Sequence, residues 1–397
     1  WIERRRDIHR NPELGFTELR TAAMVAQRLG DLGFELAIGP EVMQADAMLG
    51  VPPAAQLSAR AEELRGDNVV QPWLSKMPHG QTGVVASLRR GEGPVTAYRF
   101  DMDALPLAEA WEEGHKPVDQ GYVSERAGVH HACGHDGHTA IGLGFAEWLA
   151  APESSWRGTA KLVFQPAEEG GRGAAPMAQA GVVDDANWFF AAHLGVGLPS
   201  RHIAGGSSGM LNSTKLDAKF TGTAAHAGAN PEDGQNALLA AATATSNLYA
   251  ITRVSGGSTR VNVGRIHGGT ARNIIADHCV IELEVRGETV GAADYMEARA
   301  RTVIQAAADM HGVRCEVTLV GQTVSPDQDD PAVEAVMAVA NKTPGVDTVV
   351  REFRCTGGED APFLMRRVQA NGGNACYFLI GSDLTDFHHT AHFDFDE

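Results

Sequence analysis

No apolar run in this sequence approaches the roughly 20 residues a helix needs to cross a bilayer. The start, Trp1-Ile2-Glu3-Arg4-Arg5-Arg6, likewise lacks the apolar core of a secretory leader, so no membrane partner is expected. Basic residues are in deficit: 33 Lys and Arg stand against 50 Asp and Glu, a formal net charge of -17. Nucleic acid and anionic surfaces both demand a basic footprint, and neither is expected to bind here. A small anion is still admitted if a local arginine or lysine cluster reverses the global field at short range. Cysteine is scarce too. Cys133, Cys279, Cys315, Cys355 and Cys376 are odd in number and follow no framework spacing, which predicts free thiols and a cytoplasmic home rather than disulfides. Internal repeats are missing, and the Ala-rich segment 237–244 is simply good helix former.

What is present is enough hydrophobic material, 43% of 397 residues, for two domains with real cores. The densest chemistry lies in His130-His131-Ala132-Cys133-Gly134-His135-Asp136-Gly137-His138, with six metal-capable side chains beside two glycines. Glycine lets the backbone turn where other residues are forbidden, so Cys133 and His135 can meet at one point and share a divalent cation.

Along the chain, Thr17 reads as the N-cap of an amphipathic helix carrying Leu19, Ala22, Val25 and Leu29 and ending before Gly33. Residues 40–80, rich in proline, read as an inserted excursion with a helical patch at 57–64. Strands are predicted over 82–88 and 95–100, the second running into Asp101 and Asp103, carboxylates at a strand end where open α/β sheets bind ligands. A helix over 139–150 leads to a strand over 159–164 that ends in Gln165-Pro166-Ala167-Glu168-Glu169-Gly170. If that segment is extended, the two glutamates point opposite ways, one to ligate a metal and one to act on a water. Trp188 to His193 repeats the pattern of an apolar strand closing on a metal-capable residue. From about residue 213 a βαββαβ order takes over, which predicts an inserted ferredoxin-like α+β domain over 213–327. The αβ rhythm then resumes and brings in His388-His389.

With Arg10-Asn11-Pro12-Glu13, His130 to His138, Gln165 to Gly170, Thr221 to Gly228 and His389 to Glu397 in view, the chain resembles the dinuclear metallohydrolases that include carboxypeptidase G, the aminoacylases and the auxin-conjugate amidohydrolases. The resemblance runs nearly end to end. It implies a zinc-peptidase-like catalytic domain over 1–212 and 328–397, with a mixed sheet flanked by helices, and a lid and dimerisation domain over 213–327. It implies Cys133, His135, Glu169, His193 and His389 as ligands of two divalent ions, Zn²⁺ or Mn²⁺, with His389 preferred to His388 because the family's ligand stands four residues before an aromatic, here Phe393. Glu168 matches the general base and Asp103 an acid that orients ligands or base. A ligand histidine of the peptidase branches is replaced by Asp101, whose role stays open. His226 matches a catalytic histidine that reaches a neighbouring subunit's site, while Asn273, Arg286 and Gly358 match positions that hold the substrate's carbonyl or carboxylate. For Asn273 a turn role, and for Arg286 a surface ion pair, remain alternatives.

The activity implied is cleavage of an N-acyl or N-aroyl amino acid, with p-aminobenzoyl-glutamate leading and indole-3-acetyl-aspartate or another N-acyl amino acid as alternatives. A homodimer or a hetero-oligomer with a related subunit is implied, and a non-catalytic partner subunit is the competing reading from another class.

Overall fold

Two units divide the chain in the computed structural model, which describes residues 1–397. The first comprises Trp1–Ser208, Pro326–Cys355 and Glu359–Glu397; the second comprises Gly209–Ser325 with Thr356–Gly358. In chain order the first begins with α1 (Ile2–Arg10), α2 (Leu19–Asp31), β1 (Glu35–Ile38), α3 (Ala54–Glu63), β2 (Val84–Arg90) and β3 (Val95–Asp101). There follow α4 (Lys116–Asp119), α5 (His135–Ala150), β4 (Gly158–Gln165), α6 (Ala174–Gln179), β5 (Trp188–Leu194) and β6 (His202–Ser208). The second unit holds β7 (Asn212–Thr221), α7 (Ala237–Tyr249), β8 (Thr259–Gly268), β9 (His278–Gly287), α8 (Val290–Met310) and β10 (Arg314–Thr323). α9 (Asp330–Ala340), β11 (Thr348–Arg354), α10 (Pro362–Ala370) and β12 (Asn374–Ile380) complete the first.

The first unit is built on a mixed sheet of eight strands in the order β1-β2-β4-β3-β5-β12-β6-β11. Its centre, β4-β3-β5-β12, is parallel, and the antiparallel pairs β1·β2, β2·β4 and β12·β6 lie to either side. Leu19, Ala22, Val25, Ala26 and Leu29 of α2 share one core with Leu143, Ala146 and Leu149 of α5 and with Ala160, Leu162 and Phe164 of β4. That core fixes α5 against the sheet, and all four parallel strands deliver their C-terminal ends to one edge, where open α/β sheets place ligands.

Several sequence expectations need correction here. α2 is capped by Glu18, not Thr17, whose hydroxyl donates to the Leu14 carbonyl at 2.7 Å. α5 starts at His135, four residues earlier than expected, because Gly134 takes φ +91° as its N-cap. Glu168 and Glu169 occupy a turn and not an extended segment. α1, β1, β6, β11 and α10 carry no legible signal of their own.

The second unit is a four-stranded antiparallel sheet ordered β10-β7-β9-β8. Ala237, Ala240, Ala241 and Ala244 of α7 and Met296, Ala300, Ile304, Ala307 and Ala308 of α8 pack on Leu216, Ala218, Phe220, Ile281, Leu283 and Val285 of the sheet. Small alanines let both helices sit close to the strands. Its cores and helices follow from pattern alone.

Candidate metal centre

Every expected ligand stands at the shared strand-end edge of the first unit. His193 is the penultimate residue of β5, Glu168 and Glu169 follow β4, Asp103 follows β3, His389 follows β12, and Cys133 and His135 lie at the head of α5. Three donor sets have all their ligand atoms within 4.8 Å of one another: Cys133, His135 and His193; Cys133, Glu169 and His389; and His135, Glu168 and Glu169. Cys133 Sγ lies 3.4 Å from His193 Nε2, and His389 Nε2 lies 3.5 Å from Glu169 Oε1.

The ring orientations are imposed by the backbone. His135 Nδ1 meets the Asp103 carbonyl at 2.9 Å and His193 Nδ1 the Leu194 carbonyl at 2.8 Å, so each ring donates from Nδ1 and turns Nε2 toward the cluster. His389 adopts φ +64° and its amide donates to the Ala132 carbonyl at 2.8 Å, which ties the ring's loop to the Cys133 segment. His388 is spoken for, since its Nε2 accepts the Val196 amide at 3.0 Å.

Asp103 is the organiser of the glutamate turn. One of its oxygens accepts the Glu168 amide and the other the Glu169 amide, each at 2.9 Å. Glu18 accepts the Ala167 amide at 2.8 Å from the other side. The two glutamates are therefore aimed by carboxylates beneath the turn, a device that sequence alternation does not encode. Burial, with Asp103 beside it, lifts the Glu18 carboxyl to about 8.

Asp101 is held in a buried network of its own. Its oxygens meet His138 Nδ1 at 2.5 Å and Arg99 Nη1 at 2.6 Å, and His138 Nε2 in turn accepts the Leu194 amide at 3.0 Å. Both nitrogens of His138 are thus engaged, and the ring braces β5 beside His193. Burial opposes the charge on Asp101, yet His135, His138 and Arg99 hold its carboxyl well below the ordinary range. Arg99 also pairs with Glu359 at 2.9 Å and Asp360 at 3.2 Å, and Asp360 accepts the Gly173 and Ala174 amides at 2.9 Å each. The acidic half of Gly357-Gly358-Glu359-Asp360 is thereby a buried brace.

Whether cations fit can be read from what the side chains leave unmet. His135 Nε2 and Glu169 Oε1 are buried without any hydrogen-bond partner, and both belong to the donor sets above. Burial drives the Cys133 thiol well above its usual range, with Glu169 adding to the effect, and pushes the His193 imidazole well below its own. A divalent cation would satisfy the two orphaned atoms and favour the thiolate, His193 is already held in the neutral form that ligates, and a thiolate, imidazole and carboxylate set suits Zn²⁺ while admitting Mn²⁺. Burial, Glu359 and Glu169 together hold the Glu168 carboxyl well above its ordinary value.

The second unit carries His226, Asn273, Arg286 and Gly358. His226 is exposed, and its Nδ1 accepts the Gly228 and Ala229 amides at 3.2 and 3.0 Å, which leaves Nε2–H as a free donor. The Asn273 carbonyl accepts the Ala227 amide at 3.1 Å, so the two polar side chains sit on neighbouring backbone. Arg286 pairs with Glu284 of its own strand at 3.0 Å, and a side chain at Gly358 would come 3.3 Å from Thr323 Oγ1.

Residues 97–397 match the family model described as Peptidase family M20/M25/M40. The chain belongs to this family. As an M20-family enzyme it is a metal-dependent hydrolase of amide bonds, and the non-catalytic reading is set aside. It is 45% identical to a p-aminobenzoyl-glutamate hydrolase subunit of Escherichia coli (strain K12), over 99% of this chain and 91% of that one. It is 44% identical to indole-3-acetyl-aspartic acid hydrolase of Enterobacter agglomerans, again over 99% and 91%. Among solved structures, the aminobenzoyl-glutamate utilization protein of Klebsiella pneumoniae superposes with a TM-score of 0.86 at 40% identity, covering 96% of this chain and 90% of that one. A dinuclear metal binding peptidase of the M20 family from Bacillus subtilis superposes at 0.67 with 25% identity, covering 100% and 92%.

Proposed function

We propose that the protein hydrolyses the amide bond of an N-acyl or N-aroyl amino acid, with p-aminobenzoyl-glutamate as the first substrate. One observation carries the chemistry: Glu168 stands within 4.8 Å of two ligand side chains, in a turn whose amides Asp103 holds. The relatives' names carry the substrate. Indole-3-acetyl-aspartate is the second reading, favoured by the 44% identity to the hydrolase of that compound.

We assign Cys133, His135, Glu169, His193 and His389 as ligands of two divalent ions, which when bound would activate a water and polarise the amide carbonyl. Glu168 takes a proton from the attacking water and gives it to the leaving amine. Its raised proton affinity, due first to burial, suits the second half of that exchange. His226 Nε2–H and Asn273 donate to the developing oxyanion, a class of contact worth roughly 3–4 kcal/mol per donor. Arg286 and the Gly358 backbone receive the amino-acid carboxylate, for which Arg286 exchanges its partner Glu284.

For 213–327 we infer a ferredoxin-like lid that pairs with a second copy, identical or related, so that His226 serves the partner's site. The strand order β10-β7-β9-β8 supports that topology, and the exposed Leu238, Leu239 and Ile266 beside the edge strand β8 support an interface. A cytoplasmic home agrees with five cysteines none of which forms a disulfide, and no helix is long and apolar enough to cross a membrane.

The deciding experiment measures kcat/KM for Zn²⁺- and Mn²⁺-loaded protein on p-aminobenzoyl-glutamate, indole-3-acetyl-aspartate and a set of N-acetyl amino acids. A preference of at least about tenfold for p-aminobenzoyl-glutamate is expected, about 1.4 kcal/mol in transition-state binding. Turnover of none of these amides would overturn the reading.

A further inference from the structure

The catalytic centre takes only Cys133 and His135 from residues 130–138, and His138 is engaged by Asp101 and Leu194. The His130 ring is fully buried, and neither of its nitrogens has a hydrogen-bond partner. Its Nε2 lies 3.5 Å from Glu109 Oε1 without making a hydrogen bond. The same oxygen lies 3.0 Å from His9 Nε2 and 3.0 Å from His115 Nε2. Three imidazole nitrogens thus crowd one carboxylate oxygen in a place without solvent.

A hydrogen-bond hub explains only part of this. Glu109 Oε1 can accept from two donors, which satisfies His9 and His115 and leaves His130 with two buried nitrogens unmet, an arrangement folded proteins rarely keep. A cation would take the Nε2 atoms of all three rings together with Glu109 Oε1, which leaves Nδ1 of His115 and of His130 as the buried nitrogens without a partner. Bonds of about 2.0–2.2 Å to a tetrahedral ion set neighbouring donors about 3.3 Å apart. The three contacts to Glu109 Oε1, at 3.0, 3.0 and 3.5 Å, bracket that spacing. The donors of His9, Glu109 and His130 also lie within 4.8 Å of one another.

We propose that His9, His115, His130 and Glu109 form a second, structural site for one transition-metal ion of the Zn²⁺ type, which clamps α1 and the 105–131 segment to the head of α5. The outer contacts suit such a site. His9 Nδ1 meets Asp136 Oδ2 at 2.8 Å, the carboxylate–histidine pairing that orients a ligand ring, and Arg5 Nε neutralises the same oxygen at 2.7 Å. The second Glu109 oxygen accepts the Ser124 amide at 2.6 Å, which leaves Oε1 for the ion. All four side chains are buried, and a closed set without an open position is structural rather than catalytic. The site does not rest on the proposed activity.

The test strips the full-length protein with a chelator and titrates Zn²⁺ against a chromophoric competitor. The wild-type chain should take up one tight ion more than the catalytic centre alone holds. The Cys133→Ser/Glu169→Gln double variant should retain one ion, and its Co²⁺ form should lack a thiolate-to-metal absorption band. Adding His130→Gln should weaken that remaining ion at least about 100-fold, and Zn²⁺ should no longer raise the melting temperature. Where His130→Gln does not fold, His115→Gln carries the same expectation. A folded Cys133→Ser/Glu169→Gln chain that retains no ion overturns the proposal, as does a retained ion whose affinity is unchanged by both His130→Gln and His115→Gln in a folded chain.

Discussion

The two units solve opposite problems. Every buried carboxylate, guanidinium or imidazole in the chain lies in the first, whereas the polar residues buried in the second are only Asn212, Ser213, Thr214, Thr259 and Thr323. In the first unit two candidate ligand rings are turned by backbone carbonyls, His135 by that of Asp103 and His193 by that of Leu194. In the second, His226 and Asn273 are exposed and ordered only by local backbone contacts. The proposed ligands His135 and His193 are held by backbone carbonyls inside the first unit, the proposed ligand His389 is exposed, and the proposed substrate contacts His226 and Asn273 lie at the surface of an apolar scaffold. Buried charge is costly unless paired, so the first unit keeps its charges in networks and the second does without them.

Substitutions can break that contrast, beginning with the largest effect. Cys133→Ala removes a donor from two ligand sets, and we expect turnover to fall at least about a thousandfold, equivalent to the roughly 4 kcal/mol a Lewis acid supplies, with metal content falling in parallel. His226→Ala should lower kcat by about 10²–10³ while metal content and melting temperature stay at wild-type values, since the ring is exposed. A loss of metal there would erase the distinction between the units. Asp103→Asn keeps the shape but offers an NH₂ to one of two amides that need an acceptor, so we expect a 10- to 100-fold loss of metal affinity or kcat and partial recovery at high Zn²⁺.

The smallest effect sits where the first unit's charges reach solvent. Glu147 joins Arg4 at 2.9 Å, Arg28 at 2.8 Å and the Trp1 indole at 3.1 Å. Burial opposes its charge, but these partners bring its carboxyl down to about 2. A carboxyl lowered in the folded state adds stability above its unfolded value and loses it as pH falls toward the folded one. Glu147→Gln should therefore cost about 1 kcal/mol near neutral pH, after discounting for partial exposure, and the gap to wild type should close between about pH 4.5 and 2 in urea titrations.

Much of this is legible in the residues themselves. The glycine-flanked Cys133 and His135, the strand-end positions of Glu168 and His193, and the alanine face of α7 each announce themselves through spacing. The elements without such a signal are held by charge and by neighbours instead of pattern. α1 has only Ile2 and Ile8 as apolar residues, and it docks through Arg5, which pairs with Asp136 at 2.7 Å and Asp394 at 2.6 Å. β6 contains two glycines and two serines and becomes a strand only between β12 and β11. Arg99 reaches Glu359, 260 positions further along the chain, and no local rule predicts that Glu359 would brace Asp101 through it.

The sharpest test compares two neighbours whose backbone is held alike and whose side chains are assigned different work. Glu168→Gln and Glu169→Gln would each be examined for bound metal and for affinity toward p-aminobenzoyl-glutamate, alongside turnover. The account predicts that Glu168→Gln keeps its ions and binds substrate while turnover falls by about 10²–10⁴, and that Glu169→Gln loses metal. Metal loss in Glu168→Gln together with full metal content in Glu169→Gln would contradict it.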